Sequence, residues 1–118
     1  MPVFEITHEA ITPVPVTTFE AEGITERADL QRLLRTNIGA IAPDCFVLAE
    51  EYAEWADAKR RIDLLCIDSD ANLVVVELKR TEDGGHADLQ AIRYAAMISV
   101  MTFDDAVNAH AKYFNKTP

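Results

Sequence analysis

The sequence has no apolar run near the roughly 20 residues that a helix needs to cross a bilayer, so we expect no transmembrane segment. Its first residues include Glu5 and Glu9, and no basic flank precedes an apolar stretch, which argues against a secretory signal. It also lacks a glycine-rich phosphate loop of the Walker type, which argues against an NTPase.

Cysteine is scarce, and its two copies, Cys45 and Cys66, sit among apolar neighbours. Their spacing does not match a zinc site. We therefore predict two reduced, buried thiols in a cytoplasmic protein.

Positive charge is also in short supply, since the formal net charge is −9. An acidic surface repels phosphates, so this value argues against nonspecific binding of nucleic acid. The distribution weakens that objection, because most of the basic residues cluster in one stretch: Lys59, Arg60, Arg61, Lys79, Arg80 and Arg93. Net charge alone therefore does not exclude DNA as a partner.

The 118 residues, of which 49% are hydrophobic, suffice for one domain with a core. We predict an N-terminal extended or β arm over 1–20 and a domain over 21–118. Apolar spacing and turn residues predict a helix capped by Thr25 and ended by Pro43, three core strands, and two further helices, the last of them capped by Thr102. The predicted ranges are strands at 2–7, 13–19, 45–53, 61–68 and 72–79, and helices at 24–41, 86–101 and 102–118. This order predicts an α/β fold with an antiparallel hairpin at its centre.

The predicted hairpin brings two carboxylates together. If its turn centres on Asp70, Asp63 and Glu77 lie opposite each other, each seven residues away. Their Cβ atoms would then be about 4.5–5.5 Å apart on one face of the sheet. Lys79 lies two residues beyond Glu77 and points to the same face.

Opposed carboxylates in an apolar strand pair repel each other, and burial increases the free-energy cost. A divalent cation between them removes that cost, and Mg²⁺ prefers such oxygen ligands. A neighbouring lysine can then orient a water or stabilise charge on a phosphate. The alternative is a buried carboxylate–lysine pair that only neutralises charge, although such pairs stabilise proteins weakly.

These residues resemble a known family. Asp63, thirteen intervening residues and then Glu77-Leu78-Lys79 form the pattern of the PD-(D/E)XK restriction-endonuclease-like nucleases. Gln90 and Tyr94 match the Gln-x-x-x-Tyr element of the RecB-like branch. The stretches RRIDLLCIDSDANLVVVELKR and DLQAIRYAAM look much like the nuclease domain of mismatch-type endonucleases, over roughly residues 24–101.

The resemblance implies a mixed sheet flanked by helices and a Mg²⁺- or Mn²⁺-dependent DNA endonuclease. It implies that Asp63, Glu77 and the Leu78 carbonyl hold the metal, and that Lys79 positions the attacking water. Gln90 and Tyr94 would reach the site from one helix face. Glu26 matches an acidic residue that many members carry on the first helix. The alternative, equally in keeping with the sequence, is a solvated glutamate, which the helix dipole favours at that position.

Four arginines, Arg60, Arg61, Arg80 and Arg93, are candidates for contacts with the DNA backbone, with a solvated charged face as the alternative. The family core usually has a fourth strand after the second helix, and here residues 102–118 read as helix. We expect either that more chain follows this domain or that a homodimer covers the exposed edge. The competing functions are a non-catalytic nucleic-acid-binding or assembly module on the same fold, and a metal-dependent hydrolase of nucleotides or RNA.

Overall fold

The computed structural model describes residues 1–53, 61–79 and 87–116 of the protein. Within these ranges the fold is α/β, with two small antiparallel sheets and three helices. The first sheet is a hairpin of β1 (Val3–Ile6) and β2 (Ile11–Val14). All residues of both strands are exposed, so this hairpin adds nothing to the buried core. The second strand was predicted at 13–19 and lies earlier in the chain.

The first helix, α1, has a π-helical part, Glu26–Gln31, followed by an α-helical part, Arg32–Thr36, and a short 3-10 turn, Ile38–Ala40. It therefore ends before the predicted stop at Pro43. Thr25 occupies the predicted N-cap position, but its side chain accepts no hydrogen bond from the helix. Its hydroxyl and its backbone N–H instead both donate to the Asp29 carboxylate, at 2.9 and 2.8 Å.

The larger sheet has the order β3 (Phe46–Tyr52), β4 (Ile62–Ile67) and β5 (Leu73–Val76). The β4–β5 register pairs Leu65 with Val75 and Ile67 with Leu73, as the predicted hairpin requires. Every strand pair among the described residues is antiparallel, so the mixed sheet implied by the resemblance is not seen there. The strand predicted at 72–79 also ends three residues early, at Val76.

Helices cover both faces of this sheet. Side chains of α1 pack with Leu64 and Cys66 on one face. The other face packs against α2 (Ala87–Ile98) and α3 (Phe103–Lys116), and its core is Leu48, Ile62, Leu65, Tyr94, Ile98 and Ala106. The hairpin predicted at the centre of the fold is therefore central in part: β4 is covered on both faces, whereas β5 is an edge strand of the described sheet.

Local bonds fix the last helix. Thr102 caps α3 as predicted, because its hydroxyl accepts the Asp105 N–H at 3.1 Å. Asp105 in turn accepts the Thr102 N–H at 2.9 Å, which completes a reciprocal capping box. The His110 ring nitrogen Nδ1 then donates to the Leu48 carbonyl at 2.7 Å, which ties α3 to β3.

The two thiols match their prediction in part. Cys66 is fully buried and free, and burial raises the pKa of its thiol to about 11, so the thiolate is disfavoured at neutral pH. Cys45 is free but only half-buried. No helix of the described chain is long and apolar enough to cross a membrane.

Candidate active site

The backbone pairing of β4 with β5 ends next to Asp63 and Glu77, the two carboxylates predicted to hold the metal. The Asp63 carboxylate accepts the Leu78 N–H at 2.9 Å, and the Glu77 carboxylate accepts the Asp63 N–H at 3.2 Å. These bonds occupy the place where strand-to-strand backbone bonds would otherwise continue. Side-chain oxygens therefore satisfy the backbone here, which explains why β5 stops at Val76.

A cleft of about 440 Å³ opens at this end of the sheet. All six side chains predicted to be catalytic line it. Its wall is formed by Glu26, Arg27, Glu51, Arg61, Asp63, Glu77, Lys79, Gln90 and Tyr94. The chain thus brings residues from α1, the three-stranded sheet and α2 to one place, although they are separated by up to 68 positions in sequence (94 − 26).

The pKa values of Asp63 and Glu77, the two central carboxyls of the cleft, are both raised. Burial and the nearby charge of Asp63 raise the pKa of Glu77 from 4.5 to about 7. Burial likewise raises the pKa of Asp63, opposed by the hydrogen bond from the Leu78 N–H. Both carboxyls are only half-buried, so their raised pKa values reflect partial desolvation together with repulsion from nearby acids, which are Asp63 for Glu77, and Glu51 and Glu26 for Asp63. An approaching cation would lower both pKa values.

Two helices supply the sides of the cleft. Gln90 and Tyr94 are one turn apart on α2, and Tyr94 is buried in the core beneath the cleft. Glu26 is the first residue of α1 and is also in the cleft wall, as predicted. Leu78 is buried, and its backbone is bonded to Asp63, which places its main chain next to the predicted metal ligands.

Two residues of the cleft wall, Glu51 and Arg27, were not predicted to be functional. Glu51 lies near the end of β3, and no motif marks it in the sequence. Arg27 follows Glu26 directly, and its position beside a candidate site residue was the one signal that could have found it. Their Oε1 and Nε atoms lie 3.2 Å apart in an ion pair.

The four arginines proposed to contact DNA have different positions. Arg61 is exposed and lines the cleft. Arg93 is exposed on α2 but is not part of the cleft wall. Arg60 and Arg80 lie outside the described residues.

The donor atoms of the cleft suit a hard divalent cation. Carboxylate and carbonyl oxygens are the ligands that Mg²⁺ prefers, and it commonly keeps several waters. Among the described residues no three His, Cys, Asp or Glu side chains come close enough to hold a metal by themselves. Asp63 and Glu77 therefore fit a cation that also takes ligands from water, backbone or substrate.

A larger cavity of about 760 Å³ lies elsewhere, between α2, α3 and the end of β3. Its wall is mainly apolar and includes Tyr52, Met97, Ile98, Val100, Met101 and Ala109. Among the described residues, no predicted site residue lines it, and Asp105 is the one acid in its wall. Its size therefore does not make it the better candidate for chemistry.

No protein-family model, curated protein or solved structure matches this chain. The assignment of a function therefore depends on the motif in the sequence and on the geometry of the cleft.

Proposed function

We propose that this protein is a metal-dependent DNA endonuclease built on a restriction-endonuclease-like core. One observation carries the proposal: the carboxyls of Asp63 and Glu77 meet half-buried in a polar cleft beside Lys79. Such a pair lowers the stability of a protein unless a ligand compensates for the repulsion. The order Asp63, Glu77-x-Lys79 and Gln90-x-x-x-Tyr94, resembling that of the nuclease family, supports the same function.

Asp63, Glu77 and the Leu78 carbonyl would hold the cation, which is Mg²⁺ or Mn²⁺. When bound, this ion supplies Lewis acidity toward a phosphodiester and offsets the charge of the two carboxylates. The hydrogen bonds from the Leu78 and Asp63 N–H groups fix the two carboxylates before any ligand arrives. The cleft therefore needs little rearrangement to bind an ion.

Lys79 would donate hydrogen bonds to the attacking water and stabilise charge on the phosphate. Gln90, on α2, would orient the water or a phosphate oxygen through its amide. Tyr94 is held in the core and supports the position of Gln90 one turn away. Glu26 would add a further acidic group at the start of α1.

The direct test incubates plasmid and single-stranded DNA with the protein in Mg²⁺, in Mn²⁺ or in chelator. We expect cleavage only with metal, and we expect Lys79→Ala to lower the rate by at least about 100-fold. Lys112→Ala is the matched control, because Lys112 lies on α3 outside the cleft wall. This variant should cleave DNA at the wild-type rate. Thermal melting checks that both variants fold. Normal cleavage by folded Lys79→Ala would contradict the assigned role.

The acidic net charge favours one alternative, a non-catalytic binding or assembly module on the same fold. Such a module needs no cation between Asp63 and Glu77. Isothermal titration that detects no Mg²⁺ or Mn²⁺ binding, together with no cleavage, would favour it. Cleavage of RNA but not of DNA would retain the chemistry and change the substrate.

A further inference from the structure

Glu51, an acidic residue of the cleft wall outside the predicted site, lies beside Asp63. Glu50 pairs with Leu64 and Tyr52 pairs with Ile62, so Glu51 falls opposite Asp63 across β3 and β4. Its backbone has a φ of 54°, in the left-handed region that non-glycine residues rarely adopt. Strained backbone of this kind persists only where surrounding interactions fix it, and it is concentrated at functional sites.

The left-handed backbone changes where the Glu51 side chain goes. In a regular strand, Glu50 and Glu51 would point to opposite faces of the sheet. Here both carboxylates accept hydrogen bonds from the same amide, Nε2 of Gln31, at 3.3 and 3.1 Å. Gln31 is itself buried, so this contact attaches α1 firmly to the end of β3.

The same Glu51 carboxylate binds Arg27 through its Nε atom at 3.2 Å. A guanidinium has five N–H donors in a rigid plane, so a contact at Nε leaves donors on both Nη atoms. The Arg27 side chain is 78% exposed and that of Glu51 only 24%. A fixed carboxylate therefore orients an arginine that remains open to solvent at the cleft.

We propose that Arg27 is a substrate-binding residue that contacts a phosphate oxygen of DNA entering the cleft, and that Glu51 is the positioning residue that holds it. This inference rests on the proposed nuclease function. It identifies a phosphate contact outside the motif residues.

The charge of the cleft explains why such a contact is needed. Among the described residues, its wall has four carboxylates, of Glu26, Glu51, Asp63 and Glu77, against three cations, of Arg27, Arg61 and Lys79. A polyanion gains little by approaching such a wall unless a cation projects toward it. Arginine suits this task better than lysine, because its planar fork matches two phosphate oxygens.

The first test measures binding of a short fluorescent DNA by anisotropy over a range of KCl, with Ca²⁺ in place of Mg²⁺. We expect Arg27→Ala to weaken binding about tenfold, and to reduce the slope of log Kd against log[KCl] by about 1. In Mg²⁺ the same variant should raise KM more than it lowers kcat. The matched control is Arg32→Ala, since Arg32 is on the same helix, is exposed, and pairs with Asp29 away from the cleft wall.

The second test uses the sign of the effect at Glu51. If Glu51 were only a nearby negative charge, Glu51→Ala would tighten DNA binding by reducing repulsion. If it positions Arg27, Glu51→Ala weakens binding, and Glu51→Gln, which keeps an acceptor oxygen, restores part of it. The double variant with Arg27→Ala should then bind no more weakly than Arg27→Ala alone. Thermal melting identifies any variant that does not fold. If Glu51→Ala does not fold, the sign of the change in DNA binding is read from Glu51→Gln instead.

The outcomes separate this inference from the proposed function. Wild-type protein that cleaves and binds DNA while Arg27→Ala behaves like Arg32→Ala would overturn the phosphate contact and leave the nuclease intact. Tighter binding by folded Glu51→Ala would overturn the positioning role. Wild-type protein that neither binds nor cleaves DNA would overturn the proposed function and this contact together.

Discussion

The carboxyl groups at the two ends of the β4–β5 hairpin have pKa values shifted in opposite directions. At the closed end, Asp68 accepts the backbone N–H groups of Asp70 and Asn72 at 2.9 and 2.8 Å. These bonds hold the pKa of Asp68 below its usual value. At the open end, burial and repulsion raise the pKa of Asp63 and of Glu77. The same residue types thus stabilise one end and destabilise the other.

The difference distinguishes an acid that serves the fold from a pair that does not. Asp68 closes the turn and lies in solvent-accessible surroundings, so its ionised form is well satisfied. Asp63 and Glu77 also receive one backbone N–H each, yet those bonds do not offset the loss of water. An unfavourable pair retained beside a lysine is an arrangement typical of active sites.

The largest expected effect separates the two ends by activity. We expect Asp63→Asn to lower the rate of DNA cleavage in Mg²⁺ by at least about 100-fold, because one of the two anionic ligands is lost. Asp68→Asn should cleave within about twofold of wild type, since Asp68 lies outside the cleft wall. The measurement is initial cleavage rate at saturating metal. Equal losses in both variants would show that the open end has no special role.

The next effect concerns stability without metal. The pKa of Glu77 is higher in the folded protein than in the unfolded chain. Its contribution to the free energy of unfolding is therefore fully present below pH 4.5 and is lost as the pH rises through about 7. Glu77→Gln stays neutral and keeps an acceptor oxygen for the Asp63 N–H. We therefore expect it to be more stable than wild type at pH 8 in chelator, by about 1 kcal/mol after discounting for solvent screening. At pH 4 the two should unfold alike.

Denaturant unfolding at the two pH values measures this difference. Added Mg²⁺ should then stabilise wild type at pH 8 and have little effect on Glu77→Gln. A variant less stable than wild type at pH 8 in chelator would contradict the account of the open end.

The smallest effect lies at the closed end and has the opposite sign. The pKa of Asp68 is lower in the folded protein than in the unfolded chain. Its contribution to the stability of the fold is therefore present above pH 3.8 and is lost as the pH falls through the pKa of the folded state. We expect Asp68→Asn to lower the Tm at pH 7 by a degree or two. The difference should disappear well below pH 3.8, as thermal melts across this range would reveal. A Tm difference that grows in acid would show that the turn depends on something other than this charge.

The local pattern predicted much of the fold. Alternation in two apolar segments and a turn at Asp70 predicted the β4–β5 register, and with it the meeting of Asp63 and Glu77. Thr102 predicted its helix start, because a capping box involves residues three positions apart. The resemblance implied that Gln90 and Tyr94 would reach the site from one helix face, and both line the cleft.

Long-range features escaped prediction. The pairing of β3 with β4 contains a register irregularity between Val47 and Ala49, so counting along the chain could not place Glu51 opposite Asp63. The early end of β5 depends on side chains that replace backbone partners, which strand periodicity does not reveal. The mixed sheet came from the resemblance, and the described strands show antiparallel pairs alone.

The sequence by itself determined the hairpin register and the identity of its paired acids, because both follow from a two-residue repeat and a short turn. Only the tertiary structure decided that Glu51 turns toward Gln31 and Arg27, and that α1 and α2 enclose the same cleft. The physical reason is distance along the chain. A side chain's local preferences fix its nearest neighbours, whereas its partners across the sheet depend on how all the elements pack.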